Sequence, residues 1–403
     1  MDESVTDGPQ SLAGFAAGMF LTGLAAVGRI SFGEMLEIVR DFVSHNPGLK
    51  ARTIASRLGL ERPTISALLH ANKDTFHQDE SSCWSLVPSA ELRVEFGVDG
   101  KKWLTARDVE KLLSKAGSPL DLPCQRVVFS LKKGSHMMLD ALARLLALSN
   151  QLAHAGKTVV LDFTESRSTY TYLDRLGFFD HLNGAIQALP KRALRGRSQE
   201  FRGNNDGLME LRSIDPTKED REVPDLLERS FVSCAGESYS VAVSTILYEL
   251  YRNVLEHSGA QAPGLAGLQF YKASGRIQAV ISDSGAGIVG TLMPVLEARY
   301  PDVAKKVASA KGHPGVTLLK QVFSSGGISK VDDDGRGTGL KISGDKAKKF
   351  KATISVRQSD FELRIEHRDD GVRFASATDL VRIEGTHICF DFRLTLDAPG
   401  NAL

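Results

Sequence analysis

A carboxylate and an amide one helical turn apart are the first residues in this sequence that could do chemistry. In "ELYRNVLEHSG", residues 249–259, Glu249, Asn253 and His257 recur at four-residue spacing, which puts side chains on one face of a helix. Ser244, Leu247, Tyr248, Tyr251 and Val254 give that helix a packing side. A partly desolvated carboxylate there can work as a general base, and an amide oxygen suits a hard cation such as Mg2+. The plain alternative is a charged, solvated helix face.

Two further motifs lie downstream. "AVISDSGAGI", residues 279–288, is an apolar strand run that ends in Asp283 and is followed by Gly285 and Gly287. Glycines directly after an acid let the backbone turn sharply and approach a ligand. An aspartate at a strand end can accept a hydrogen bond from the exocyclic amino group of adenine. "DDDGRGTGLKI", residues 332–342, sets Gly335, Gly337 and Gly339 ahead of a helical run. Free backbone N–H groups entering a helix cradle phosphate. Arg336 and Lys341 could offset phosphate charge, or be ordinary surface charge. The three consecutive acids at 332–334 cannot all point inward and read as a solvated loop.

Each motif alone is common. Their order, a Glu…Asn helix, a strand with DxGxG, a GxGxGL helix and closing strands "ATISVRQSD", "FELRIEHR" and "GTHICFDFRL", resembles the GHKL ATP-binding fold of gyrase, heat-shock chaperones, histidine kinases and mismatch-repair ATPases. The resemblance covers residues 219–403 and implies ATP and Mg2+ as cofactors. It implies that Asn253 coordinates Mg2+, Asp283 binds adenine, and Gly285 and Gly287 shape the turn. Gly335, Gly337 and Gly339 would wrap the phosphates, and Thr386 in "EGTHI" would support the adenine. Glu249 matches the acid that polarises the attacking water in ATPase members and assists phosphotransfer in kinases. His257 and Ser258 match pocket-adjacent positions. Residues 289–334 match the lid, which closes over nucleotide in such enzymes. Members of the family often dimerise.

The elements that must position these residues belong to a chain of 403 residues, long enough for two or three domains. Its 42% hydrophobic and 25% charged content is that of a globular protein. A net charge of +1 excludes a global field that would pull the chain onto nucleic acid, so any DNA contact must be local. The four dispersed cysteines form no CxxC motif and fit a reducing, cytoplasmic setting. Residues 12–28 are apolar but rich in Gly and Ala and lack a basic flank. We read residues 1–29 as a packed N-terminal segment, with no membrane span expected.

Residues 30–90 show a helical stripe, "NPG", then a short helix ending at Gly59 and a second helix opened by Pro63. This is the helix-turn-helix pattern. "DTFHQDESSCWSLVP" alternates like a hairpin, and the whole looks like a winged helix. Arg57, Arg62, Thr64, Ser66, His70 and Lys73 would line its exposed side, facing DNA or a protein partner. Residues 91–122 read as a connector containing one capped helix after Thr105. Residues 123–218 read strand, helix, strand, helix and resemble the STAS fold of anti-sigma-factor antagonists. That family's phosphosite is not carried over to Ser166, Ser168 or Thr169, because the local motif differs. His136, in "SHMMLDALARLL", reads as an ordinary histidine on a sheet-covering helix.

The fold class expected is therefore multidomain α/β and α+β: winged helix, small STAS-like sheet and C-terminal GHKL sandwich. The expected function is an ATP-binding regulator that hydrolyses ATP and couples lid closure to the other modules. Two alternatives stay open: a serine/threonine kinase of anti-sigma-factor type, and a non-hydrolysing nucleotide sensor that binds DNA.

Overall fold

The computed structural model of the chain describes residues 31–87, 91–191, 196–218, 220–257, 263–326, 328, 339–347 and 352–394. The apolar segment 12–28, Ser258, Gly335, Arg336 and Gly337 lie outside the described residues. The chain divides into two compact units, Met1–Ala90 and Glu91–Leu403.

The first unit runs α1 (Phe32–His45), β1 (Leu49–Lys50), α2 (Ala51–Leu58), α3 (Arg62–Ala71), β2 (Phe76–Gln78) and β3 (Cys83–Leu86). Ser31 caps α1 reciprocally with Glu34. Gly59 closes α2 at φ 65°, a left-handed turn that favours glycine. The helix pair and the hairpin stand where the sequence puts them. Their apolar faces meet in one small core of Val39, Ile54, Leu58, Ile65, Leu69 and Trp84.

Among the described residues the second unit is mixed α/β with two main sheets and no barrel. Its first sheet is parallel, in the order β4 (Glu91–Phe96), β6 (Arg126–Leu131), β8 (Thr158–Asp162), β9 (Gln187–Leu189). The short β5 (Trp103–Leu104) and β7 (His136–Met137) pair beside it. Helices α4 (Ala106–Ala116), α5 (Leu139–His154) and α6 (Arg167–Leu176) accompany this sheet. Residues 91–122, expected to be a connector, therefore carry an edge strand and a packed helix. The edge position explains the misreading: β4 alternates polar and apolar residues because only part of it is covered. His136 lies in β7 rather than on the helix, and its ring packs tilted against Trp103 at 4.9 Å between centroids.

The second sheet has seven strands, β10 (Leu208–Ile214), β11 (Gly264–Tyr271), β12 (Arg276–Ser282), β16 (His387–Arg393), β13 (Thr353–Arg357), β14 (Glu362–Arg368) and β15 (Gly371–Ala377), in that spatial order and antiparallel throughout. β10 pairs with β11, so the chain enters this sheet at Leu208 rather than after 218. Helices α7 (Glu222–Ala235), α8 (Ser240–His257), α9 (Gly287–Leu292), α10 (Pro301–Ala308), α11 (Pro314–Ser325) and α12 (Gly339–Ala347) build the layer whose core includes Leu227, Leu250, Ile288, Leu319, Leu340 and the sheet residue Phe390. The opposite face, through Val280 and Cys389, shares a core with α5. α5 is thus sandwiched between the two sheets, which is why it is apolar on nearly every side.

The two sheets are also joined by buried charge. Arg144 of α5 pairs with Glu110 of α4 at 3.0 Å and with Glu362 of β14, while the fully buried Arg357 of β13 reaches Glu110 at 2.8 Å. Burial pushes Glu362 upward, but the charge and hydrogen bond of Arg144, together with the charges of Arg364 and Arg107, hold the carboxyl below its ordinary value. Removing one member strands the others in a dry interior. Glu110→Gln is expected to cost about 2 kcal/mol of stability, read as a lower urea midpoint with an unchanged slope. Among the described residues no helix is long and apolar enough to cross a membrane.

Candidate functional site

The three motif-bearing elements converge within the second unit. α8 packs along α12, the helix that Gly339 opens, and touches α9, the helix that follows the DSGAG turn. Buried residues of all three belong to one core. Glu249 and Asn253 are half-buried on α8. The Asn253 Nδ2 donates to the Glu249 carbonyl at 2.5 Å. Burial raises the Glu249 carboxyl above its ordinary value; nearby Arg252 opposes this and Glu256 adds to it.

Asp283 is 2% exposed and sits opposite Thr386, whose carbonyl accepts its N–H at 2.9 Å. One carboxylate oxygen, Oδ1, accepts the Gly285 N–H at 2.7 Å. The other, Oδ2, is buried with no hydrogen-bond partner. Such an orphaned acceptor is costly unless something donates to it. Burial pushes the carboxyl up to about 6, against the pull of the Gly285 N–H and of Thr386.

Glycines make this close approach sterically accessible. Gly385, beside Thr386, has φ 97°, and a Cβ there would lie 2.1 Å from the Asp283 carbonyl oxygen. Gly287 has φ 71°, and a Cβ there would lie 2.7 Å from Oε1 of Gln358. Both positions are closed to larger residues by backbone conformation and by contact.

Two glutamines absent from the sequence reading complete the site. Gln358 follows β13 and is 3% exposed. It bridges the Thr386 hydroxyl and the N–H of Val289. The signal for it was a polar pair, Arg357-Gln358, closing an apolar strand. Gln151 of α5 donates to the Glu384 carbonyl and accepts the Glu384 N–H, both at 2.9 Å, and its Nε2 lies 3.3 Å from Ser284 Oγ. It ties the loops on either side of Asp283 and Thr386 to the first sheet's helix, a contact that no local pattern could reveal. A cavity of about 830 Å3 borders these loops from the α5 side; Asp283 lines it, whereas Glu249 and Asn253 do not.

The remaining candidates divide. Lys341 is paired with Asp345 one turn along α12 at 2.6 Å, so a phosphate would have to compete for it. Gly339 starts α12, but Gly335, Arg336 and Gly337 lie outside the described residues, as does the side chain of His257. Ser166 and Thr169 are buried, and Thr169 donates to the Ser135 carbonyl at 3.0 Å. In the first unit Arg57, Arg62, Thr64, His70 and Lys73 are exposed and Ser66 is half-buried. Among the described residues no group of three His, Cys, Asp or Glu is placed to hold a metal. Comparison of the chain with protein-family models, with curated proteins and with solved structures returns no match.

Proposed function

We propose that the second unit is a GHKL-type module that binds Mg·ATP and hydrolyses it, and that the chain is an ATP-driven regulator. The observation that carries the reading is the buried, unpartnered Oδ2 of Asp283, a residue whose backbone is bonded to that of Thr386. A purine amino group would supply the missing donor. The donor set also suits Mg2+, which takes few protein ligands and keeps waters and phosphate oxygens; Asn253 offers the hard oxygen it needs. The ion would supply charge neutralisation at the phosphates. Glu249 would accept the proton of the attacking water, its carboxyl raised by burial into a more useful range. Backbone N–H groups entering α12 would face phosphate.

Incubating the purified chain with γ-labelled ATP tests this reading. Release of free label from an unlabelled chain supports hydrolysis. Label on the chain or on a partner would replace it with kinase activity, and binding without turnover would replace it with a nucleotide sensor.

For the first unit we propose contact with DNA through its basic exposed side. The double substitution Arg62→Ala, Lys73→Ala is expected to weaken duplex affinity about tenfold and to flatten its salt dependence. Unchanged affinity in a salt-series titration removes the contact face and leaves protein docking as the use of this unit.

A further inference from the structure

A second cavity, of about 580 Å3, lies between α4 and the paired strands β14 and β15 of the seven-stranded sheet. It shares no lining residue with the cavity at Asp283. Its charge is one-sided once the internal pairs are taken out. The three acids that line it, Asp108, Glu110 and Glu362, are all committed. Lys101 holds Asp108 at 2.6 Å. Arg144 and Arg357 hold Glu110 at 3.0 and 2.8 Å. Arg144 also pairs with Glu362, which Arg364 reaches at 3.2 Å. Arg144, itself a lining residue, is thereby spent. The other three cations in the lining are not. Among the described residues, the side chains of Arg107, Lys111 and Lys115 have no ion-pair or hydrogen-bond partner. They recur at four-residue spacing and so share one face of α4. Lys111 has a cation one turn away on either side, about 6 Å along the helix. The half-buried Ser114, whose hydroxyl is likewise without a partner, stands among them. What this cavity lacks is an anion.

We infer that this cavity is a binding site for a small organic phosphate. The dianionic head meets Arg107, Lys111, Lys115 and the Ser114 hydroxyl, and the apolar body lies against Val98, Leu112 and Leu380, which also line the space. A phosphate suits the site better than a carboxylate. It brings about two charges and three strong acceptor oxygens to three cations and a hydroxyl, where a carboxylate brings one charge and two oxygens. The volume falls in the usual range of small-molecule sites, roughly 300–1,000 Å3. The site is independent of the nucleotide reading, since none of its residues belongs to the three nucleotide motifs.

Phenyl phosphate and inorganic phosphate are the probes, titrated into the whole chain at constant ionic strength because salt screens exposed charges. Phenyl phosphate is expected to bind saturably with a Kd of about 1 mM or below, and inorganic phosphate about threefold or more weakly, because it has no apolar body to bury. The double substitution Lys111→Ala, Lys115→Ala is expected to weaken phenyl phosphate about tenfold or more. Both lysines are exposed, so the variant should fold, which its melt without ligand checks. Lys272→Ala, at an exposed lysine outside the cavity, should leave the affinity unchanged. Saturating Mg·ATP should leave phenyl phosphate bound. Affinity that is equal in the folded double variant, phenyl phosphate that binds no tighter than inorganic phosphate, or displacement by Mg·ATP overturns the inference. Mg·ATP titrated alone tests the nucleotide reading separately.

Discussion

On the proposed reading, Glu249→Ala is expected to slow phosphate release sharply while leaving Mg·ATP affinity within about threefold. The expected loss in kcat is roughly 10²- to 10⁴-fold, the usual share of a positioned general base. The side chain is half-buried on α8, and the bond between Asn253 and the Glu249 carbonyl is a backbone contact that alanine keeps. Binding should therefore survive while turnover does not, the signature of an interaction made in the transition state. The pH profile carries the same information. Burial raises the carboxyl, so its ionised, proton-accepting form is present above that raised value and activity falls as pH drops through it. Steady-state assays of both chains across pH 5–8 check the claim. Undiminished turnover in the variant removes Glu249 from the chemistry.

Asp283→Asn is expected to separate stability from recognition. The carboxyl is pushed from 3.8 up to about 6, chiefly by burial. Below 3.8 the folded and unfolded chains are both protonated. Between 3.8 and about 6 the unfolded chain releases its proton while the folded chain keeps it, so stability falls as pH rises through this window. Above it the folded chain carries the full cost of a buried charge, about 3 kcal/mol as an upper value. Asparagine carries no charge, so the ligand-free variant should melt higher than wild type at pH 7.5 and lose that advantage near pH 4. Its amide can turn a donor toward the base, so the preference for ATP over GTP should drop by about tenfold or more. Thermal melts at the two pH values, with competition binding, test both halves. A variant that is less stable at pH 7.5 and equally selective contradicts the assignment of Asp283 as a buried, ligand-facing acid.

The coupling of the two sheets gives the regulatory reading a physical route. α5 contributes its apolar faces to both sides, Arg144 to the buried charge cluster and Gln151 to the loops around Asp283. Order imposed on those loops by a ligand would be felt by α5 through hydrogen bonds and packing rather than through a flexible tether.

Much of this was legible from local pattern. The Glu249–Asn253 helix and the helix at Gly339 stand at their expected positions, and the strand expected to end in Asp283 ends one residue before it, at Ser282. Periodicity and glycine placement report local conformation directly. Features set by long-range partners were not legible. β4 is polar enough to pass for a connector because it is an edge strand. β10 belongs to the second sheet because it pairs with β11, from Ile214 against Gly264 to Leu208 against Gln269, and sequence order says nothing of that. Gln151 and Gln358 are single amides whose meaning depends on what faces them, Glu384 in one case and Thr386 in the other. The Asp283–Gly385 contact is half visible: "EGT" announces a turn, but only the fold brings the turn against Asp283.

The central claim is that residues from three distant segments hold one nucleotide. Isothermal titration of the whole chain with Mg·ATP measures this most directly. The account predicts saturable, one-site heat that weakens without Mg2+ and is lost to competition by other adenine nucleotides. No heat with Mg·ATP, together with unchanged melting in its presence, would contradict it.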